Sequence, residues 1–501
     1  MRQTSSLVLL FLFLTSSPMV QAQSDSKPNI IFILSDDLSW GDLGCYGQKK
    51  IKTPNIDRLA KEGIRFTQAY AGNSVCAPSR SSLMQGLHQG HARVRGNSSG
   101  GYRASLQEGD TTIAMLAKQA GYRTGIFGKW GLANHDQPGI PNNMGFDEFF
   151  GYLNQRHAHC YYPEFLYHNE ERIFYPENGA HHELRNYSRK SLYDIEGHVM
   201  PNGIDEPSKA VYSFDAYCAK SLDFVKEAGE DPFFLYLAYT TPHGPLIVPD
   251  LGDYHDTEWD IQYKEWAAMV TRMDTEVGKL LDLLKEQNID NHTLIIFASD
   301  NGDSSHGYEP RYLEEKAGPT LSQFFDLESP TRGRKGDSYD GAFHVPALAW
   351  WPGQIAPNQT SDHLWAFWDV MPTIAEIIDV KTPSSVDGIS ILPTLTGKGR
   401  QKQHDYLYWE YQRAQAVRSG PWFAHKESNS EAELYNLKDD PRQANNVRQK
   451  HPNVINRLEG YMEEAHTPSE VWPSPGESQE DFEKRMKEAG IEERPNNIGN
   501  F

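Results

Sequence analysis

The stretch from Pro28 to Asp37, PNIIFILSDD, constrains this chain more than any other. A short run that is wholly apolar and rich in β-branched residues has no polar face to turn to water. It predicts a central strand of a parallel sheet, covered on both sides. The run stops abruptly at Ser35-Asp36-Asp37, so two adjacent carboxylates stand at the strand's carboxyl end. Similar runs recur at 123–127, 233–239, 294–298 and 345–349. Between them lie helical patterns at 55–61 behind Thr53-Pro54, at 112–119 before Gly121, and at 261–286. Helix and strand in alternation read as an α/β sheet with helices on both faces. Sites in such sheets gather beyond the strand carboxyl ends. Ser299-Asp300-Asn301-Gly302 closes another strand, so its groups are expected to meet Asp36 and Asp37. Two adjacent carboxylates alone suit a helix cap or a turn. With Asp300 and the Asn301 amide they make four hard oxygen donors, a set that suits Ca²⁺, or Mg²⁺ in its place.

Beyond a helical pattern at 369–378 the texture changes. Short strand-like segments at 404–412, 414–418, 421–424 and 433–435 precede a helix at 453–465. This predicts a smaller C-terminal α+β subdomain, 380–501, with an antiparallel sheet. From residue 467 a Pro-, Glu- and Ser-rich tail is expected to wrap the surface or to be loosely ordered. At the other end, Arg2, the apolar run 7–14 and Val20-Gln21-Ala22 read as a signal peptide over 1–23. The apolar run is too short to span a bilayer. The expectation is therefore an exported protein, periplasmic or secreted, with no membrane partner and a main domain over 24–379.

Lys and Arg number 48 against 68 Asp and Glu, a net charge of −20. That argues against nucleic acid as a partner, and it means that an anionic substrate needs concentrated local positive charge. Four Asn-x-Ser/Thr sequons occur, at Asn97, Asn186, Asn291 and Asn358. The four cysteines are Cys45, Cys76, Cys160 and Cys218.

Cys76 precedes a predicted helix start, with Pro78 in the first turn, Leu83 and Met84 one turn on, and Gly86 to stop the helix. Unpaired N–H groups at such a start, with Arg80 a turn away, favour anions and lower a thiol pKa. A lone cysteine in a long chain is more often simply buried. Here Cys76-x-Pro78-Ser79-Arg80 followed by Leu83-x-x-Gly86 resembles the signature of the type I sulfatases, with Gln85 where that family usually has Thr. The stretch from Gly121 to Leu132, with Lys129, resembles its second signature. There Gly131 stands where many members have His.

The resemblance implies an alkaline-phosphatase-like fold, a large mixed and mostly parallel sheet sandwiched by helices. It implies that Cys76 is oxidised to Cα-formylglycine (3-oxoalanine) by a formylglycine-generating or anaerobic sulfatase-maturating enzyme. At most one disulfide then joins two of the other three cysteines. It carries over Asp36, Asp37, Asp300, Asn301 and the converted Cys76 as ligands of one Ca²⁺ per chain, and Arg80 as part of the catalytic group. Lys129 and Lys335 are implied to grip the sulfate, and His243, in Thr241-Pro242-His243, to protonate the leaving oxygen. In that mechanism a hydroxyl of the aldehyde hydrate attacks sulfur, and the second hydroxyl later expels sulfate.

The stretch 155–163, with histidines crowded as far as residue 182, reads either as a pocket wall for a sugar, with Arg156 and His159 binding it, or as a solvated excursion. Together with the Gly131 departure, it resembles bacterial sulfatases that act on sulfated polysaccharides such as ulvan, carrageenan or glycosaminoglycans. Two alternatives stand beside the sulfatase reading. One is a phosphate or phosphonate ester hydrolase of the same superfamily. The other is a catalytically silent glycan-binding protein, if Cys76 is never oxidised.

Overall fold

The computed structural model describes residues 27–98, 103–179, 207–305, 319–327 and 329–491. The expected signal peptide and the sequon at Asn186 lie outside the described residues. Strand β1 (Asn29–Asp36) is buried along its whole length. It is followed in chain order by β2 (Ile64–Phe66), β3 (Ala69–Tyr70), β4 (Arg123–Lys129), β5 (Glu148–Tyr152), β6 (Phe165–His168), β7 (Glu171–Phe174) and β8 (Phe233–Pro242). Then come β9 (Thr293–Ser299), β10 (Ala347–Trp350), β11 (Gln359–Ser361) and β12 (Trp365–Ala366). Ten of these strands form one sheet in the order β11-β2-β10-β9-β1-β8-β4-β5-β6-β7. The middle five, from β9 to β5, run parallel. The pairs β9–β10, β10–β2, β5–β6 and β6–β7 are antiparallel, which makes the sheet mixed.

The β1 sequence explains why it lies in the middle. Ile31 and Ile33 point into one core with Trp266, Val277 and Leu280 from the helix Ile261–Glu286. Ile30, Phe32 and Leu34 point into a second core on the opposite face, with Ile113, Leu116 and Ile374. Each such side chain contributes roughly 1.5–3 kcal/mol by leaving water, so neither face of β1 can be turned outward.

A separate antiparallel sheet holds β13 (Leu407–Tyr411), β14 (Ala414–Ser419), β15 (Trp422–Glu427) and β16 (Glu433–Asn436). One face packs on Tyr70, Phe343 and Trp368, and the other carries the helix Pro452–Ala465 through Ile455, Leu458 and Met462. The described part of the tail beyond residue 467 packs on the domain and ends in a helix. Trp472 lies buried against Gly96, and Ser478 caps a helix, Gln479–Glu488. No disulfide joins any of the four cysteines. Among the described residues, no helix is long and apolar enough to cross a membrane.

Candidate active site

Strands β1 and β9 are parallel neighbours with Ser35 paired to Ser299, so their next residues emerge side by side. Asp37 turns the chain with φ 70, a left-handed conformation that Asp tolerates better than most residues. Its N–H donates to Asp300 Oδ1 at 3.2 Å. Asp36, Asp37, Asp300 and Asn301 are thereby gathered in one fully buried group.

Helix α2 (Cys76–Gln85), the next α-helix after α1 (Pro54–Glu62), points its amino end at this group. It starts at Cys76 itself, one residue earlier than the sequence predicts, and Gly86 ends it at φ 69. Cys76 Sγ lies 3.4 Å from Asp36 Oδ1 and 3.5 Å from Lys335 Nζ. The expectation of a lowered thiol pKa is wrong: burial, and then the Asp36 carboxylate, push Cys76 up to about 12. A helix start and two lysines do not offset the loss of water around a thiolate. One turn on, Arg80 donates to Asp300 at 3.0 Å, lies 3.5 Å from Asp36, and donates to the Lys129 carbonyl at 2.9 Å.

Two lysines close the group. Lys129, the last residue of β4, donates to Asp36 at 2.5 Å. Gly128 before it has φ 111, and a Cβ there would fall 2.1 Å from the Ala238 carbonyl, so only glycine lets β4 lie this close to β8. Lys335 reaches both oxygens of Asp37, at 2.6 and 2.8 Å. Its loop is pinned by Lys335 N–H to Asp303 O and Gly336 N–H to Ser74 O. Burial opposes the charges of Asp36 and Asp37, but Lys129 beside the first and Lys335 beside the second outweigh it. Asp36 is held well below the usual carboxylate range and Asp37 at about 2.

His243 follows β8, with Nε2 3.5 Å from Asp37 Oδ2. Its Nδ1–H donates to the Gly244 carbonyl at 2.6 Å, so the neutral ring turns a bare Nε2 toward the carboxylates. Tyr161 steadies that turn through the carbonyls of Thr240 and His243. His159, from the short 3₁₀ turn His157–His159, stacks on His243 with ring centroids 3.9 Å apart. Arg156 stands at the head of the same turn, and no hydrogen bond or ion pair joins it to the carboxylates among the described residues. The structure thus brings together every predicted catalytic and metal-ligating residue, places His159 one ring behind, and leaves Arg156 three residues before it, outside the carboxylate group.

Some parts of the site had no clear mark in the sequence. Asn97, notable there only as a sequon, accepts the Ala77 N–H at the start of α2. Gln155 lies beside Gly131: a Gly131 Cβ would make ordinary contacts, 3.6 Å from Gln155 Cβ and 3.7 Å from Arg80 Cδ. The pairing of β4 with β5, which sets the two stretches side by side, was not visible in the pattern.

The donor set fits a hard divalent cation. Three carboxylates and an amide are buried together, and Asn301 Oδ1 has no hydrogen-bond partner among the described residues. Burial, and then Asp36, push Asp300 up to about 7, and added positive charge would favour its ionised form. A second group, His88, His91 and Asp387, does not fit a metal. The Gly90 N–H donates to His88 Nδ1, which leaves the proton on Nε2, the atom facing Asp387.

A mostly parallel sheet with buried carboxylates, cations and a helix-start cysteine at its carboxyl edge defines a hydrolase of alkaline-phosphatase-like architecture. The chain belongs to the sulfatase family: the Sulfatase family model matches residues 28–380, and that for the C-terminal region of N-sulphoglucosamine sulphohydrolase matches 335–467. It is similar to the human N-acetylgalactosamine-6-sulfatase, 30% identical over 411 residues that cover 79% of this chain and 71% of that protein. The N-acetylgalactosamine-6-O-sulfatase of Bacteroides thetaiotaomicron is 27% identical over 506 residues, 89% and 94% of the two chains. Among solved structures, Ps i-CgsB in complex with k-i-k-neocarrahexaose superposes with TM-score 0.69 at 25% identity, covering 95% of this chain and 99% of that one. The protein is accordingly a sulfuric-ester hydrolase.

Proposed function

We propose that the protein removes sulfate from a sulfated carbohydrate, an oligosaccharide released from a sulfated polysaccharide, using Cα-formylglycine at position 76 and one Ca²⁺. The observation that carries this reading is the position of Cys76, at the start of α2 against Asp36 and Lys335. The hydrated aldehyde would supply an oxygen nucleophile that the metal makes more acidic.

Asp36, Asp37, Asp300 and Asn301 would hold the cation. Arg80, tied to Asp36, Asp300 and the Lys129 carbonyl, keeps the carboxylates and Lys129 in register. Lys129 and Lys335 place two ammonium groups around residue 76, where they neutralise charge on the sulfate oxygens, usually the largest catalytic effect. His243 keeps Nδ1–H on Gly244, so a proton taken up at Nε2 is the one it gives to the leaving alkoxide, worth roughly 10²–10⁴-fold. The names of the relatives, which act on 6-sulfated N-acetylgalactosamine, and the neocarrahexaose complex support a sugar as the substrate.

Mass measurement of the peptide containing residue 76 tests the reading. We expect an aldehyde in place of the thiol in protein made alongside a maturating enzyme, and no turnover from Cys76→Ala. Full activity in Cys76→Ala would refute the mechanism. A higher kcat/KM for a phosphate ester than for a sulfate ester with the same leaving group would assign the site to phosphoryl chemistry instead.

A further inference from the structure

Several arginines in this acidic molecule meet carboxylates: Arg95 with Glu410 at 2.7 Å, Arg272 with Asp215 at 2.5 Å, Arg448 with Glu459 at 2.9 Å. Arg103 and Arg156 differ from these. Both are half-buried, and neither meets a carboxylate among the described residues. The Arg103 guanidinium finds only a neutral acceptor, Asn154 Oδ1 at 3.2 Å. That same oxygen also takes the Arg156 backbone N–H at 2.7 Å, which holds the two residues together. Arg103 Nε is buried with no hydrogen-bond partner among the described residues. Burial, and then the neighbouring Arg156, bring Arg103 down to about 10. Two cations that repel each other and have lost water cost free energy, unless an anion joins them.

The pair adjoins the catalytic group through the ends of β4 and β5. Lys129 and Tyr152 are register partners at the ends of β4 and β5, and Asn154 lies two residues beyond Tyr152. Gln155, beside Arg156, packs next to Gly131: a Cβ added at Gly131 would sit 3.6 Å from Gln155 Cβ. Three residues past Arg156, His159 stacks on His243. Arg156 therefore sits on a stretch whose His159 touches the catalytic group and whose Gln155 packs beside Gly131, two residues past Lys129.

We infer that Arg103 and Arg156 form a second anion site, which holds an oxyanion of the substrate other than the ester being cleaved. A guanidinium fork binds sulfate and carboxylate oxygens with the same paired geometry. The group is either a second sulfate or the carboxylate of a uronic acid, on the same sugar or on the next one. This inference rests on the sulfated-sugar reading above, and it narrows the substrate to sugars with at least two negative charges.

Calorimetric titration of the Cys76→Ala chain tests it, with three ligands: a monosulfated N-acetylhexosamine, the same sugar with a second sulfate, and a disaccharide linking it to a uronic acid. One of the two dianionic ligands should bind roughly 30-fold or more tightly than the monosulfate. Which of them shows the gain identifies the oxyanion. Arg103→Gln and Arg156→Gln, each added to that background, should erase the gain. If Arg103→Gln fails to fold by thermal melting, the half-exposed Arg156→Gln carries the comparison. Equal affinity for all three ligands overturns the inference while leaving a sulfated sugar as substrate, and so does a gain that survives both variants. If none of the three binds and the converted enzyme releases no sulfate from them, the sulfated-sugar reading fails and takes the inference with it.

Discussion

His159 lies on His243 like a second page, 3.9 Å between ring centroids, and burial holds both imidazoles below their ordinary pKa. The stack keeps His243 from swinging away from Asp37, and a ring pair of this kind contributes about 0.5–1.5 kcal/mol beyond its area. His159→Ala should lower kcat/KM on sulfated sugars about tenfold, and clearly more than on a small aryl sulfate, because the ring is proposed also to bind the sugar. Parallel assays on the two substrates check this. Equal losses would assign His159 to positioning His243 alone. At Cys76 the sequence argument failed because it weighed a helix start and ignored depth: every residue of α2 is buried, and desolvation outweighs the dipole.

Among the elements, β13 depends on one buried ion pair. Its Glu410 takes a hydrogen bond from Arg95 at 2.7 Å and another from His466 at 2.8 Å, joining the loop after α2 to the C-terminal sheet and the tail. Burial opposes the charge on Glu410, but the His466 bond and Arg95 outweigh it and hold the carboxyl below its ordinary 4.5. A carboxyl lowered by folding contributes stability above its unfolded pKa, and loses that contribution as pH falls through the folded value. Glu410→Gln should therefore cost about 3 kcal/mol at neutral pH, since it leaves Arg95 buried and uncompensated. It should also flatten the fall in stability below about pH 4.5. Urea unfolding of both proteins from neutral to acid pH measures the difference.

The elements legible in the sequence are those whose pattern is set by burial on both faces, such as β1, or on one stripe, such as the helix Ile261–Glu286. Strand β5, Glu-Phe-Phe-Gly-Tyr, was missed because its length and its glycine gave no run to detect. The tail helix Gln479–Glu488 was hidden by a composition that also suits disorder. The central site was legible because its residues stand at strand ends. Of the Arg103–Asn154–Arg156 group only Arg156 was, because no spacing links residue 103 to a turn fifty positions later.

Taken whole, the molecule repels what its site attracts. A net charge of −20 surrounds a crevice holding Lys129, Lys335 and Arg80. Raising ionic strength from about 10 to 100 mM, which shortens the Debye length from ~30 to ~10 Å, should raise kcat/KM severalfold for a polysulfated oligosaccharide. The gain should be smaller for a monoanionic aryl sulfate. Initial rates across a salt series check this, and a steady fall with salt would mean that local positive charge governs the approach. Cys76 is 1% exposed, beneath groups drawn from positions as far apart as Asp36 and Lys335. Any enzyme that is to oxidise this side chain needs the segment around it as open chain. On the proposed reading, maturation and folding would therefore run in a race, in which a molecule that folds first would have sealed its nucleophile in the unusable state.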